Sequence, residues 1–591
     1  MIQTTENTIK QNATVARLLH HMASGYKYLG TKERFRAIAY EIAARTVNNL
    51  QADISAYAED KKALDQLNGI GSSIAEKIIE YLKTGKVKKY EELKEQIPEE
   101  LLDMMDITGF GPALVKVLHE QLDINTRAEL LKAIDEGRLE GIKGFGDKKI
   151  ENIKRGLHLF EEAQSRLLLW DAVLAGNKIL QAIRQFPEVR KAELAGSVRR
   201  GRETVGDIDI IVMATLKDQK KLADKTQKLP GIVRVLAGGD TKVSLLLQNQ
   251  TQVDVRIVTE NAYGAALLYF TGSKEHNVRL RTIARERGWK LNEYGLFDLK
   301  TDKYLAGKTE EEMYRYMGLQ FIPPELREDK GEIDLAAKNK LPALVTLKDI
   351  KGDMHLHSKW SDGEEEIETL ARYVMKTFPQ YEYLVMTDHS PSERISHGLE
   401  PDDFVRQFRE IDQVNKKIGR DFIKKGVEVD ILADGQLDLP DDLLEKFDWV
   451  VASIHSGLAQ DNTQRLLKAC EHPAVNCIGH PGGRLVGTRD AYPVNWRQLI
   501  DKAATTGTAL EINAQPGRMD LQDDLVKMAI DKGVQLVIDT DAHAKVHFDL
   551  MQLGVTIARR GWCKKQDVLN TISWREITQF SNKKNKTKRK H

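Results

Sequence analysis

At 591 residues the chain is longer than one hydrophobic core supports, so several domains are expected. Charged residues make up 30% and nearly cancel, at formal +1, so bulk charge excludes no partner and names none. Three cysteines (Cys470, Cys477, Cys563) exclude a disulfide framework and a four-thiolate zinc site, and no apolar run approaches the roughly 18 residues of a membrane span. With no secretory h-region at the start, the expectation is a soluble cytoplasmic protein with no membrane partner.

Residues 1–160 read as helices joined by glycine turns. Asn12 to Met22 is amphipathic, and Glu33 to Tyr40 continues the period. One unit, Gly-apolar-Gly opening a helix, then occurs at Gly69-Ile70-Gly71, Gly109-Phe110-Gly111 and Gly144-Phe145-Gly146. Paired glycines permit a tight turn and leave bare backbone N–H groups at a helix N-terminus, which grip a phosphate without reading bases. One such turn is ordinarily just a cap; a series suits a polyanion that presents phosphates repeatedly. The three units resemble helix-hairpin-helix DNA-binding motifs, so these glycines are expected to face DNA.

The next informative stretch, Gly196 to Met213, reads GSVRRGRETVGDIDIIVM. Its end alternates like a half-buried strand, which puts Asp207 and Asp209 on one face and Ile208, Ile210 and Val212 in the core. Side-by-side carboxylates repel unless a cation lies between them. A second alternating strand, Gln252 to Val258, offers a third carboxylate, Asp254. Three acids on adjacent strands can hold two hard cations such as Mg²⁺ about 3.5–4 Å apart, clamping both oxygens of an in-line phosphoryl displacement. Upstream, Gly196-Ser197 supplies a hydroxyl and close N–H groups, and Arg199 and Arg200 supply forks suited to phosphate. Alone, Asp-x-Asp is usually a solvated strand edge.

The full string, Gly-Ser-x-Arg-Arg-Gly, then Gly206 before Asp-x-Asp, then a strand aspartate, resembles the nucleotidyltransferase superfamily. Its double arginine makes it similar to the family X DNA polymerases, the group of DNA polymerase beta, in order over residues 60–322. The resemblance implies that Asp207 and Asp209 hold both Mg²⁺ ions and Asp254 the one that activates a primer 3′-hydroxyl. It places Arg166, Gly196, Ser197, Arg200 and Gly206 around the triphosphate. Tyr269, Phe270, Gly272 and Asn277 would form the sugar and base pocket, although Lys274 replaces an acid of polymerase beta. Arg256, Arg281 and the Asn292-Glu293-Tyr294 triplet fall at positions facing DNA. Lys77 matches the Schiff-base lysine of the lyase domain, but a neighbouring lysine of that pattern is Ser73 here. Lys77 reads equally well as a solvated lysine or a phosphate contact.

Pro323-Pro324 stops regular structure, and the charged stretch to residue 350 reads as a linker. Beyond Lys351, short apolar runs end repeatedly in His, Asp or Glu, with helical segments between, the pattern of a β/α barrel whose strand ends gather the functional residues. The candidates are His355, His357, Asp362, His389, Glu428, His455, His480, Asp541 and His543, and packing gives no reason for such repetition. These positions resemble the full ligand set of the PHP (polymerase and histidinol phosphatase) family. Mixed imidazole and carboxylate donors suit Mn²⁺ or Zn²⁺, up to three ions, for hydrolysis of a phosphodiester. Arg484 and Arg394 are candidates to hold its phosphate. The lysine-rich end reads as a disordered basic tail.

The expected architecture is multidomain: an all-α helix-hairpin-helix region, an α+β nucleotidyltransferase palm and a distorted (β/α)7 barrel of PHP type. The boundaries are 1–95 (lyase-like), 96–160 (two further hairpin motifs), 161–258 (palm), 259–322 (nucleotide selection), 323–350 (linker), 351–575 (barrel) and 576–591 (tail). The expected function is a DNA repair polymerase, monomeric and nucleoid-associated. It would take deoxynucleoside triphosphates, fill gaps in nicked or gapped double-stranded DNA, trim 3′ ends and incise abasic sites. The alternatives are a non-polymerase nucleotidyltransferase coupled to a small-molecule phosphatase, and a DNA-binding scaffold with inert sites.

Overall fold

A computed structural model describes residues 2–588 apart from 50–53, 58–59, 66, 68, 106–110, 140–141, 143–145, 147–149, 151–152, 155–156, 158–165 and 394–395. Gly109, Gly144 and Arg394 lie outside the described residues.

The N-terminal part is helical. Helices Ile2–Leu29 and Arg34–Asn49 pack together over Val15, Leu19, Met22, Tyr26, Tyr40 and Val47. Gly71 caps helix Ser72–Thr84 and Gly111 caps helix Pro112–Leu122, where Pro112 fills a position whose N–H has no intrahelical partner. Gly69 adopts φ +75°, and a Cβ there would collide with Ile42, so this turn admits only glycine.

A five-stranded sheet follows, ordered β1-β2-β5-β4-β3, with β1 Lys191–Leu194, β2 Asp207–Met213, β3 Ile232–Gly238, β4 Lys242–Leu247 and β5 Gln252–Val258. β2 and β5 run parallel, and the other neighbours run antiparallel. Ile208, Ile210 and Val212 are buried under helix Leu169–Arg184, whose Gly176 lies so close that a Cβ would sit 2.8 Å from Leu194 Cδ2. Ile211 breaks the polar alternation because helix Tyr263–Thr271 covers the other face. That leaves the Asp207–Asp209 end of β2 open, whereas the rest of β2 is covered on both sides; the edge strand β3 is exposed along nearly its whole length.

Helix Lys274–Glu286, a three-stranded antiparallel sheet and helix Glu310–Tyr316 form the next cluster. The expected linker at 323–350 is instead packed structure. Leu326, Ile333, Ala336, Val345 and Ile350 are buried, and helix Glu332–Ala337 lies within it. Its charges misled because they are internal: Arg327 is fully buried against Glu310, and Glu332 accepts from His276 at 2.6 Å. Glu310 also takes both arms of Arg199, at 2.9 and 2.6 Å. Burial raises the Glu310 carboxyl, but Arg327 and Arg199 outweigh it and bring it down to about 2. Glu310→Gln should therefore lower stability by about 3–5 kcal/mol at neutral pH, since two arginines lose their counter-charge. A depressed carboxylate stabilises above its unfolded value of 4.5 and loses that as pH falls toward about 2. Melting curves of the two proteins should converge as the buffer is taken below about pH 4.5.

The last unit is a sheet of seven parallel strands in sequence order: β6 Gly352–Leu356, β7 Tyr383–Met386, β8 Ile423–Asp430, β9 Trp449–Ser453, β10 Cys477–Ile478, β11 Ala509–Asn513 and β12 Leu536–Asp539. Met354 N donates to Asp539 Oδ1 at 2.8 Å and His357 N to Ala542 O at 2.8 Å, which draws the first strand against the last. Apart from the half-buried Lys425 the strands are buried, as in a barrel wrapped by helices. The expected disordered tail is helix Trp574–Lys588, whose Ile577 closes one end of the barrel against Met354, Trp449 and Val537. Lys584 is drawn inside, its Nζ 2.7 Å from Thr508 Oγ1, so its charge marks a buried anchor and not a solvated tail. Among the described residues no helix is long and apolar enough to cross a membrane.

Candidate active sites

The parallel register of β2 and β5 sets Asp209 directly beside Asp254, with Asp207 two residues earlier on the same face. Asp209 is pushed up to about 7, chiefly by burial and then by the charges of Asp207 and Asp254. Burial would raise Asp254 as well, but hydrogen bonds from Ser244 and Gln252 and the ammonium of Lys242, 3.0 Å away, hold it below the ordinary range. One carboxyl that resists ionising beside one that does not is a corner short of positive charge. The donor set is all oxygen, which suits a hard cation.

The turn Gly196–Glu203 borders this corner. Gly196 has φ +61°, and a Cβ would strike the Asp209 carboxylate. Arg166 spans the far side, its Nε and Nη2 donating to Thr204 at 2.9 and 2.8 Å and its Nη1 lying over Gly206. Arg199 and Arg200, read as phosphate forks, are already engaged: Arg199 by Glu310, and Arg200 by Glu328 at 3.2 Å and by Thr271 O. Tyr269 and Phe270 meet edge to face at 5.1 Å, Arg256 lies over the Phe270 ring at 4.6 Å, and Asn277 donates to Tyr269 O at 2.7 Å. Gly272 packs beside Arg200, whereas Arg281 and Tyr294 are exposed.

In the barrel all nine predicted residues converge. Glu428 lies among five imidazoles: Oε2 is 3.0 Å from His389 Nδ1, 3.3 Å from His355 Nε2 and 3.6 Å from His357 Nε2. Its Oε1 is 2.9 Å from His480 Nε2 and 3.4 Å from His455 Nε2. Asp541 faces His357 at 3.2 Å, and Asp362 faces His543 at 3.5 Å and His389 at 3.6 Å. Donor atoms cluster as His357, Asp362, His389, His543; as His355, His357, Asp541; and as His389, Glu428, His455. His355 Nε2, His357 Nδ1, His389 Nδ1 and His480 Nδ1 are buried and make no well-angled hydrogen bond, which fits nitrogens that take metal ions. The carboxylates Glu428 and Asp541 stay well below the usual range because the imidazoles overcome their burial.

Two outer partners escaped sequence reading. Glu511 accepts from His355 Nδ1 at 2.7 Å, and Asp430 from His455 Nδ1 at 2.7 Å, so each fixes which nitrogen faces inward. An acid inside the apolar run of β11 was the available signal. The phosphate candidates also change. Arg484 is turned away onto Glu203, while Arg518 approaches Asp541 Oδ2 at 3.9 Å and supplies the cation at this ring.

In the helical part, Lys77 Nζ donates to Ser73 O at 2.8 Å and Ser73 Oγ at 2.9 Å. It lines a cavity of about 590 Å³ with Tyr26, Arg36, Tyr40 and Lys89, and burial lowers its pKa. Gly146 O accepts from Ile150 N at 3.1 Å.

Comparison with known proteins sets these sites in context. Residues 266–328 match the family model for the DNA polymerase beta thumb, 10–87 a helix-hairpin-helix domain and 100–158 a SAM-like helix-hairpin-helix tandem. The chain is 37% identical to the DNA polymerase/3′-5′ exonuclease PolX of Bacillus subtilis (strain 168) over 571 residues, 96% of this chain and 98% of that protein. It is 23% identical to DNA polymerase lambda of Rattus norvegicus over 352 residues, 54% of this chain and 56% of that one. A probable phosphatase of Thermoanaerobacter sp. (strain X514) is 29% identical over 201 residues, 32% of this chain and 77% of that protein.

Proposed function

The chain belongs to the family X DNA polymerases that carry a C-terminal PHP barrel, and from that premise we propose a repair enzyme that fills short gaps and trims 3′ ends. The observation that carries the reading is the register placing Asp209 beside Asp254 in the same chain as a ring of imidazoles around Glu428. Residues 1–95 and 96–160 grip nicked or gapped duplex, 161–258 perform nucleotidyl transfer, 259–322 select the nucleotide and 351–575 process the 3′ end. The enzyme works as a monomer on nucleoid DNA.

Asp207, Asp209 and Asp254 hold two Mg²⁺, which when bound neutralise the triphosphate and lower the pKa of the primer 3′-hydroxyl. Gly196, Ser197, Arg166 and Gly206 orient the triphosphate. Arg200 joins them by exchanging Glu328 for a phosphate oxygen. Tyr269 and Phe270 exclude a 2′-hydroxyl, Asn277 reads the minor-groove edge, and Arg256 and Arg281 steady the template. Gly69, Gly71, Gly109, Gly111, Gly144 and Gly146 hold backbone phosphates. In the barrel the nine ligands hold up to three Mn²⁺ or Zn²⁺, whose bound chemistry is hydrolytic. Arg518 holds the phosphodiester there, and abasic-site incision uses the same ring.

Purified protein with a one-nucleotide-gapped duplex and deoxynucleoside triphosphates tests this. Extension and 3′ degradation of DNA in preference to free metabolite phosphates is expected; hydrolysis of small phosphates without incorporation would sink it. Lys77 carries a separate expectation. Its lowered pKa leaves more free amine at neutral pH, so borohydride should trap it on 5′-deoxyribose-phosphate DNA. Lys77→Ala should cut trapping by roughly tenfold or more. If the unaltered protein traps nothing, Lys77 is a phosphate contact alone.

A further inference from the structure

Two arginines of the PHP barrel point out of it and hold the turn that borders the polymerase aspartates. Arg560, at the end of helix Met551–Arg560, has a side chain only 3% exposed. Its Nη1 donates to the backbone carbonyl of Arg200 at 2.7 Å and to Glu328 Oε1 at 3.0 Å, and its Nη2 to Asp523 Oδ2 at 2.6 Å. The same Glu328 Oε1 holds Arg200 Nε at 3.2 Å, so one carboxylate joins a barrel arginine to the nucleotide-site arginine. At the turn's other end, Arg484 grips Glu203 with both arms, at 2.9 and 2.7 Å. Between these clamps Gly201 has φ +69° and faces Thr556, leaving no room for a side chain. The barrel's own chemistry uses neither contact.

We propose that Arg560 and Arg484 are positioning residues for nucleotide binding, through which the PHP barrel sets the geometry of the palm's phosphate turn. This rests on the polymerase reading above. The turn begins at Gly196 against the Asp209 carboxylate, so its placement is felt at the aspartates as well as at Ser197 and Arg200. A bidentate fork fixes both distance and angle, whereas a lysine in the same place is a point charge. When Arg200 turns to a triphosphate, Arg560 remains to satisfy Glu328, so the exchange leaves no buried carboxylate alone. The barrel thus lowers the penalty for recruiting Arg200.

The test uses the full chain on gapped DNA. Arg560→Lys should raise KM for the incoming deoxynucleoside triphosphate by roughly tenfold, with kcat and the 3′ degradation rate within about twofold. Glu203→Arg and Arg484→Glu should each raise KM, and the double charge swap should restore it toward the starting value. A lowered melting temperature with unchanged KM would make the contacts merely structural and overturn the inference. Failure of the swap to restore KM would overturn the Arg484 clamp. If the unaltered protein incorporates no nucleotide at all, the polymerase reading falls first, a result distinct from normal incorporation with an unmoved KM.

Discussion

Asp254→Ala is expected to reduce primer extension by roughly a thousandfold or more, about 4 kcal/mol of barrier, while leaving metal-dependent 3′ degradation within twofold. The asymmetry follows from position. Asp254 sits on β5 at the palm corner, and none of the barrel ligands comes from that sheet. The loss will not be an unfolding effect. Asp209 is held near neutrality partly by repulsion from Asp254, so removing that charge relieves strain in the metal-free corner. Lys242 loses its partner, but it is 38% exposed and water takes over. Against that relief stands the loss of the hydrogen bonds from Ser244 and Gln252 and of a carboxylate the fold stabilises, so the variant should melt close to the unaltered protein without metal, yet gain less from added Mg²⁺. A variant that lost both activities while still folded would show that the two sites are not separate.

The palm was legible because a strand's period of two is local: Asp207-Ile208-Asp209-Ile210 declares its faces without knowledge of the rest of the chain. The barrel was legible for a related reason, since each apolar run ended in its own ligand and the fold gathers strand ends. What stayed hidden was non-local. Nothing near Glu203 announces Arg484, 281 residues away, and an arginine after a ligand strand reads naturally as a phosphate holder. The segments that carry Arg327 and Lys584, read as a linker and a basic tail, hide their partners for the same reason. A charged residue with a distant buried partner is indistinguishable in sequence from one in water, so a packed segment looked like a linker and an anchored helix like a loose tail. Glu511 and Asp430 differ: each lies in an apolar strand, where an acid needs a partner, and His355 and His455 were already named.

Glu428→Gln should abolish 3′ degradation, by roughly a thousandfold, and leave nucleotide incorporation within about twofold. No other carboxylate of the ring reaches as many imidazoles: its two oxygens serve His355, His357, His389, His455 and His480. Glutamine preserves the volume but offers one oxygen and an NH₂ where two acceptors stood. The consequence for the neighbours has a definite sign. His455 is raised to about 10, because Glu428 and Asp430 outweigh its burial. Without the Glu428 charge that support is reduced, so imidazolium is less favoured and His455 titrates lower. A raised imidazole stabilises fully below its unfolded pKa and loses that contribution as pH rises through the folded value. The metal-free protein should accordingly lose more stability to Glu428→Gln at pH 6 than at pH 10, and bound Mn²⁺ measured by elemental analysis should fall. Retention of full metal content together with full 3′ degradation would show that the ring does not depend on its central carboxylate.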